Sequence, residues 1–275
     1  MKTGLWDRHK SLKKKNKKIL VTTVPFAKED KSPLSLLERA GIEVTVNPMG
    51  RRLKPDELAT IVGGFDGMIA GTEVINKEVF DSAANLQIIS RVGIGIDNLD
   101  LNEAEKRSIK VTYTPDAPAP AVAELTIGLM LSVLRHLSEA NLLMHGGEWE
   151  RFFGRRLSEV EIGIIGFGRI GQKVVRHLSG FSPKKLLIND IDQQTPLPTA
   201  INASYATKEE ILRQADLVTL HLPLSSKTKD MLGYEELMSM KPDAALINTS
   251  RGGIINEDDL LDVLVAGHLS GVALD

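Results

Sequence analysis

Short apolar runs rich in Val, Ile and Leu alternate with stretches of helical spacing along nearly the whole chain. The runs at residues 18–24, 42–47, 67–70, 87–91 and 110–113 read as strands. The stretches between them at 33–40, 56–62, 77–84 and 101–108 read as helices, the first of them closed by Gly41. Alternation of this kind predicts parallel strands joined by crossover helices. The rhythm breaks at residues 114–120, where Pro115, Pro118 and Pro120 stand close together. Proline lacks an amide hydrogen and has a fixed φ, so it suits neither a helix interior nor a central strand. That segment predicts a hinge near Pro115 to Pro120. It separates a domain over 18–115, preceded by a basic tail at 1–17, from a second domain over 116–275. Past the hinge a single long helix is expected at 121–145, ended by Gly146 and Gly147, and a second strand–helix series runs from about residue 160 onward.

Composition narrows the function classes. The 275 residues, 42% of them hydrophobic, can build two cores. A net charge of -2 gives no field that draws the chain to nucleic acid or to an anionic membrane. The lysines at residues 10–18 read as a solvated tail. Cysteine is absent, which excludes disulfides, thiolate metal sites and a cysteine nucleophile. The most apolar stretch, residues 122–134, is broken by Glu124, Thr126 and Ser132 and is too short to span a bilayer. The expectation is a cytoplasmic protein with no metal and with no nucleic-acid or membrane partner.

The strongest local signal begins at residue 160: Val-Glu-Ile-Gly-Ile-Ile-Gly-Phe-Gly-Arg-Ile-Gly, up to Gly171. An apolar strand leads into Gly166-x-Gly168-x-x-Gly171, and residues 172–178 continue as a helix. Gly166 permits the tight turn, Gly168 lets a pyrophosphate approach the backbone, and Gly171 lets helix and strand pack closely. Arg169 and Ile170 lie inside the same turn. The helix N-terminus supplies free N–H groups and a partial positive charge. The next strand, residues 185–189, ends at Asp190, about 20 residues on, where the fingerprint needs an acid for the ribose hydroxyls. Asp190, with Asp192 beside it, repels a 2′-phosphate, so the expected cofactor is NAD rather than NADP.

Four stretches in order then carry a wider resemblance. They are residues 89–100 with Thr114 to Pro118 and Ala121 to Glu124; residues 163–171; residues 215–224; and Asn248-Thr-Ser-Arg-Gly-Gly running into Gly-Val-Ala-Leu-Asp275. On these the chain resembles the D-isomer-specific 2-hydroxyacid dehydrogenases, most closely their phosphoglycerate dehydrogenase-like branch. The resemblance implies an α/β fold with a flavodoxin-like substrate domain followed by a Rossmann dinucleotide-binding domain, and an active site in the cleft between them. It also implies NAD as cofactor, a small 2-hydroxy or 2-keto acid as substrate, and a homodimer. The family's substrate domain is completed by a C-terminal return segment, and its acid/base histidine and partner glutamate follow the motif that ends here at Asp275. None of the six histidines (His9, His136, His145, His177, His221 and His268) stands in that motif. Two readings stay open: a chain truncated before its acid/base pair, or a non-catalytic NAD-binding protein of the sensor or corepressor kind.

The chemistry assigns the remaining candidates. Arg251 follows an apolar strand, and its planar fork can grip the carboxylate and the carbonyl oxygen of a 2-keto acid together. Gly93 and Gly95 lie in a loop whose amides can cradle the carboxylate. Arg91 is offered to a substrate phosphate by analogy with the phosphoglycerate branch, although Ile69 stands where some members carry a second phosphate-binding arginine. Arg51 and Arg52 read as solvated loop residues. Leu222 and Pro223 resemble residues that line the cofactor, and Asp275 resembles the aspartate that contacts the nicotinamide carboxamide. Thr249 and Ser250 sit on the cofactor side of their strand end, and His221 reads as cofactor wall rather than as a proton donor.

Overall fold

The computed structural model describes residues 16–275. The lysine-rich tail lies, up to residue 15, outside them. The chain divides between Pro115 and Asp116 into two compact units.

The first unit is built on a parallel sheet of β1 (Lys18–Val21), β2 (Glu43–Val46), β3 (Gly67–Ala70), β4 (Ile88–Arg91) and β5 (Lys110–Tyr113), ordered β2-β1-β3-β4-β5. The crossovers are α1 (Ser32–Arg39), α2 (Pro55–Val62), α3 (Lys77–Ser82) and α4 (Leu101–Lys106). Two of these helices start under side-chain caps, which satisfy amides that a helix leaves open. Asn76 Oδ1 accepts from the Val79 amide at 3.3 Å, and Asp100 Oδ1 from the Glu103 amide at 3.0 Å. Leu20, Met68 and Ile89 of the strands pack with Leu58, Val79 and Phe80 of the helices in one core. The strand order reverses between β1 and β3. Loops leaving those two strands diverge there, and a crevice opens at their carboxyl ends, where sheets of this kind bind ligands.

The second unit begins with α5 (Ala119–Leu134) and α6 (Leu137–His145). Then come β6 (Glu161–Ile165), α7 (Arg169–Leu178), β7 (Lys185–Asn189), β8 (Ala203–Tyr205), α8 (Lys208–Gln214) and β9 (Leu217–Leu220). The series closes with α9 (Tyr234–Met238), β10 (Ala245–Asn248), α10 (Glu257–Val265) and β11 (Gly271–Leu274). All six strands are parallel, ordered β11-β10-β9-β6-β7-β8. Both faces of this sheet are buried, which is why its strands read as apolar runs rather than as alternation. Ile162, Ile164, Leu186 and Ile188 pack with Met130 of α5 and Val174 of α7. The intervening Ile165 and Leu187 pack with Ile211 of α8 and Leu260 of α10. Each such side chain contributes about 1.5–3 kcal/mol relative to exposure. The order reverses between β6 and β9, and that is this unit's ligand-binding edge.

The single helix expected at 121–145 is instead two helices bent by 67°. The break has a local cause. His136 adopts a left-handed φ of 53°, which ends α5. The Leu134 carbonyl then accepts from the Arg155 amide at 2.9 Å. At its other end α5 starts earlier than expected, because Pro120 lies in the first turn, where a missing amide hydrogen costs no bond. Among the described residues no single helix is long and apolar enough to cross a membrane.

Candidate active site

The turn after β6 shows three glycines doing different work. Gly166 has a φ of +101°, and a Cβ there would stand 2.4 Å from the carbonyl oxygen of His221, so the ends of β6 and β9 meet through its bare backbone. A Cβ on Gly171 would stand 2.1 Å from the Gly166 carbonyl oxygen, so only glycine lets α7 fold back on the turn. Gly168 has nothing within 4 Å of where its Cβ would be. It faces open space. No side chain caps α7, and its first helical bond runs from the Gln172 amide to the Gly168 carbonyl at 3.0 Å. The amides of residues 169–171 therefore open the helix as donors, with the positive end of the helix dipole behind them. An uncapped helix start beneath open space fits a pyrophosphate.

Asp190 follows β7 and holds that turn in shape. Its Oδ2 accepts from the Phe167 amide at 2.6 Å, and its Oδ1 from the Asp192 amide at 2.9 Å. The group stays partly exposed, which leaves lone pairs for a ribose hydroxyl. Phe167 packs edge-on to Tyr205 at 6.5 Å. Burial, and then the charges of Asp190 and Asp192, push the Tyr205 hydroxyl up from its usual range. Arg169 Nε donates to Asp116 Oδ1 at 2.8 Å on the surface, while Ile170 is half-buried against the core.

The other strand ends on this edge carry the remaining candidates. His221 follows β9. Its Nε2 lies 3.1 Å from the Thr219 hydroxyl, its enclosed Nδ1 has no partner among the described residues, and burial lowers its pKa to about 4. A ring that stays neutral suits a wall better than a proton donor. Leu222 packs on the core and Pro223 is exposed, its carbonyl accepting from the Thr228 hydroxyl at 2.6 Å. After β10, Arg251 Nη1 donates to the Ser250 carbonyl at 2.7 Å. Asn248 shapes this turn. Its Nδ2 donates to the Arg251 carbonyl at 2.8 Å, and its Oδ1 accepts from the Ser250 amide at 3.0 Å and hydroxyl at 2.6 Å. Thr249 turns the other way, its buried hydroxyl 2.9 Å from that of Thr126 on α5, so it fastens the strand end to the helix. Past β11, the Asp275 amide donates to the Asn248 carbonyl at 3.0 Å and the residue itself is exposed.

In the first unit a small cleft of about 80 Å³ opens at the β1/β3 reversal. Its lining includes Thr22, Arg52, Glu73 and Arg91. Arg91 is buried, its guanidinium folded onto the Val92 carbonyl and beneath Gly93, whose φ is +142°. The Gly93 amide donates to the Thr114 hydroxyl at 2.8 Å. Gly93 thus spends its amide on Thr114, whereas the amides of residues 94–96, Gly95 among them, donate to no described backbone carbonyl. Of the two arginines read as solvated, Arg51 is held by Glu57 through bonds of 2.9 and 2.6 Å. That pairing brings the Glu57 carboxyl down to about 2. Arg52 is the one that reaches the cleft. Sequence reasoning passed over Thr22, Glu73, Asn98 and Asn248. Their only signal was a polar side chain at the carboxyl end of a strand or in the loop that leaves it, where ligands and the residues that shape their loops gather. Among the described residues no group of His, Asp and Glu is placed to hold a metal ion.

Against known proteins, the family described as "D-isomer specific 2-hydroxyacid dehydrogenase, NAD binding domain" matches residues 127–275. A hydroxypyruvate reductase of Thermotoga maritima is 34% identical over 243 residues, covering 87% of this chain and 77% of the relative. A D-3-phosphoglycerate dehydrogenase of Methanocaldococcus jannaschii is 35% identical over 268 residues, and the chain spans 48% of its length. A solved protein of Thermus thermophilus superposes with a TM-score of 0.82 at 35% identity, covering 94% of this chain and 81% of that one. With the glycine turn, its acid and the strand-end arginine in place, these matches show that the chain belongs to the D-isomer specific 2-hydroxyacid dehydrogenase family.

Proposed function

We propose that the chain exchanges hydride between NAD and a small D-2-hydroxy or 2-keto acid. The observation that carries this is the edge of the second unit. There an uncapped helix start faces open space at Gly168, with Asp190 beside it and Arg251 two strands away on the same sheet. Bound NAD would supply the hydride acceptor or donor. The chain's part is to bind and orient. The amides of residues 169–171 would hold the diphosphate, and Asp190 would accept from the ribose and repel a 2′-phosphate. His221, Leu222, Pro223, Ser250 and Asp275 would border the nicotinamide end. Arg251 would hold the substrate carboxylate and draw charge onto the carbonyl oxygen. In the first unit, the amides about Gly93 and Gly95 would by themselves offer donors to a carboxylate.

Among small acids the reading favours one with an unphosphorylated tail, such as hydroxypyruvate. Ile69 supplies no cation and Arg91 is folded onto its own backbone, which leaves Arg52 at the cleft without the second arginine that some phosphate-binding members carry. A homodimer belongs to the same reading. Leu137, Leu142, Met144, Trp149 and Phe153 expose apolar surface along and after α6. Sedimentation equilibrium distinguishes dimer from monomer.

The test is a fluorescence titration with NADH followed by its oxidation against a panel of 2-keto acids. NADH binding in the micromolar range or tighter is expected, together with slow turnover of at least one acid in which water supplies the proton, since none of the six histidines stands in the acid/base motif and a positioned acid is worth roughly 100- to 10,000-fold. Arg251→Lys should leave NADH affinity unchanged and lower kcat/KM on the order of 100-fold, since lysine cannot form the fork. Failure to bind NADH removes the reading outright. Binding without turnover reduces it to a dinucleotide-binding module.

A further inference from the structure

The cleft of the first unit contains an acid with no part in the scheme above. Glu73 lines it and is 1% exposed. Its Oε1 accepts from the Gly71 amide at 2.9 Å and meets the Thr22 hydroxyl. These contacts tie the end of β1 to the loop after β3. From the other side Asn98 Nδ2 donates to the Gly71 carbonyl at 3.3 Å and to the Glu73 carbonyl. Ile75 bridges Leu99, so the segment is pinned at both ends. Glu73 Oε2 is different. No described residue donates to it, and it occupies the space that Gly71 leaves by having no side chain. A Cβ there would stand 2.9 Å from Oε2 and 2.8 Å from Thr23 Cα. Gly71 and Thr23 both line the cleft. A nearly buried carboxylate oxygen calls for a hydrogen-bond donor, and here the donor has to come from whatever fills the cleft.

We propose that Glu73 is a specificity-determining residue whose Oε2 accepts a hydrogen bond from a hydroxyl on the substrate's tail. The proposal rests on the 2-hydroxy acid reading above and narrows it. The favoured substrate carries a hydroxymethyl group beside the hydroxy or keto acid, as D-glycerate and hydroxypyruvate do. A methyl tail leaves Oε2 desolvated and unpaired. A phosphate ester removes the donor and sets more negative charge against the carboxylate. Arg52 and Arg91 line the same cleft, so its overall charge does not turn anions away. The sorting is done by one placed acceptor.

The experiment is calorimetric titration of the NADH-loaded chain with D-glycerate, D-lactate and 3-phospho-D-glycerate. Wild type is expected to bind D-glycerate about 10- to 100-fold more tightly than D-lactate, the range for a hydrogen bond to a charged acceptor. It should also bind D-glycerate more tightly than 3-phospho-D-glycerate. Glu73→Gln puts a donor where Oε2 was. It should bring D-glycerate and D-lactate toward parity and improve 3-phospho-D-glycerate relative to D-glycerate by about tenfold. The NADH dissociation constant, set in the other unit, should stay unchanged and report that the variant is folded. Equal wild-type affinity for D-glycerate and D-lactate overturns the role of Glu73 without any variant, and so does a wild-type preference for the phosphate ester. An unchanged preference in folded Glu73→Gln does the same. If wild type binds NADH but none of the three acids, the 2-hydroxy acid reading falls together with the proposal.

Discussion

Gly168 and Gly171 stand three residues apart and make opposite demands. A methyl group at 168 meets no atom within 4 Å, whereas one at 171 is driven to 2.1 Å from the Gly166 carbonyl. Gly168→Ala should therefore keep its melting temperature to within a few degrees and lose most of its NADH affinity, because the added carbon fills space the diphosphate needs. Gly171→Ala must move backbone, and should lose stability on the order of 1–3 kcal/mol as well as affinity. Thermal unfolding and NADH titration of the two variants separate the effects. Equal destabilisation by both would remove the distinction between ligand-facing and packing glycines. His221 gives a second residue-scale prediction. Its folded pKa of about 4 lies below the ordinary value of about 6.5, so the unfolded chain takes up this proton first as pH falls. The stability that the neutral ring contributes is complete above about pH 6.5 and is lost on the way down to about pH 4. It amounts to at most about 3 kcal/mol. Urea unfolding of wild type at pH 7 and at pH 4.5 should show that loss, and His221→Gln should show less of it. Matching pH slopes for the two proteins would contradict the enclosed, neutral ring.

At the scale of elements, the strands were the most legible feature. Residues 67–70 and 110–113 are strands with the bounds that the sequence marks, the first because a nearly buried strand announces itself by hydrophobicity and the second, a mostly exposed edge strand, through its run of Val, Thr and Tyr. Helix ends were less legible. Lys77–Ser82 and Leu101–Lys106 stop two residues short of their expected ends, since a last turn is decided by local carbonyl partners that spacing does not encode. The α5/α6 break was invisible for a stronger reason. It depends on a left-handed His136 and on Arg155, from well beyond α6, capping Leu134. Apolar spacing runs through the break without a sign. The site divides along the same line. The glycine turn and Asp190 were readable because their spacing follows the strand–turn–helix–strand path of one crossover unit. Glu73 and Asn98 were not, because what qualifies them is a meeting of loops from β1, β3 and β4 that only the sheet order brings together.

At the scale of the whole chain, the two units share neither sheet nor core. The five-stranded sheet and its cluster around Phe80 lie before Pro115, and the six-stranded sheet with clusters on both faces lies after it. Every strand of the second unit finds its partners within that unit. The turn at Gly166, the acid at Asp190 and the uncapped start of α7 are likewise internal to it. Each of these contacts is therefore present in residues 116–275 alone. Expressed by itself, that fragment should unfold in one cooperative transition and bind NADH with the affinity of the full chain. NADH at 100 times its dissociation constant should stabilise it by about 2.7 kcal/mol, the amount that linkage sets for a ligand that binds only the folded state. A chemical-denaturation curve with and without NADH measures this directly. A fragment that folds cooperatively yet gains nothing from NADH would show that the glycine turn and its acid do not make the site. A fragment that fails to fold would show that the second unit draws part of its stability from the first.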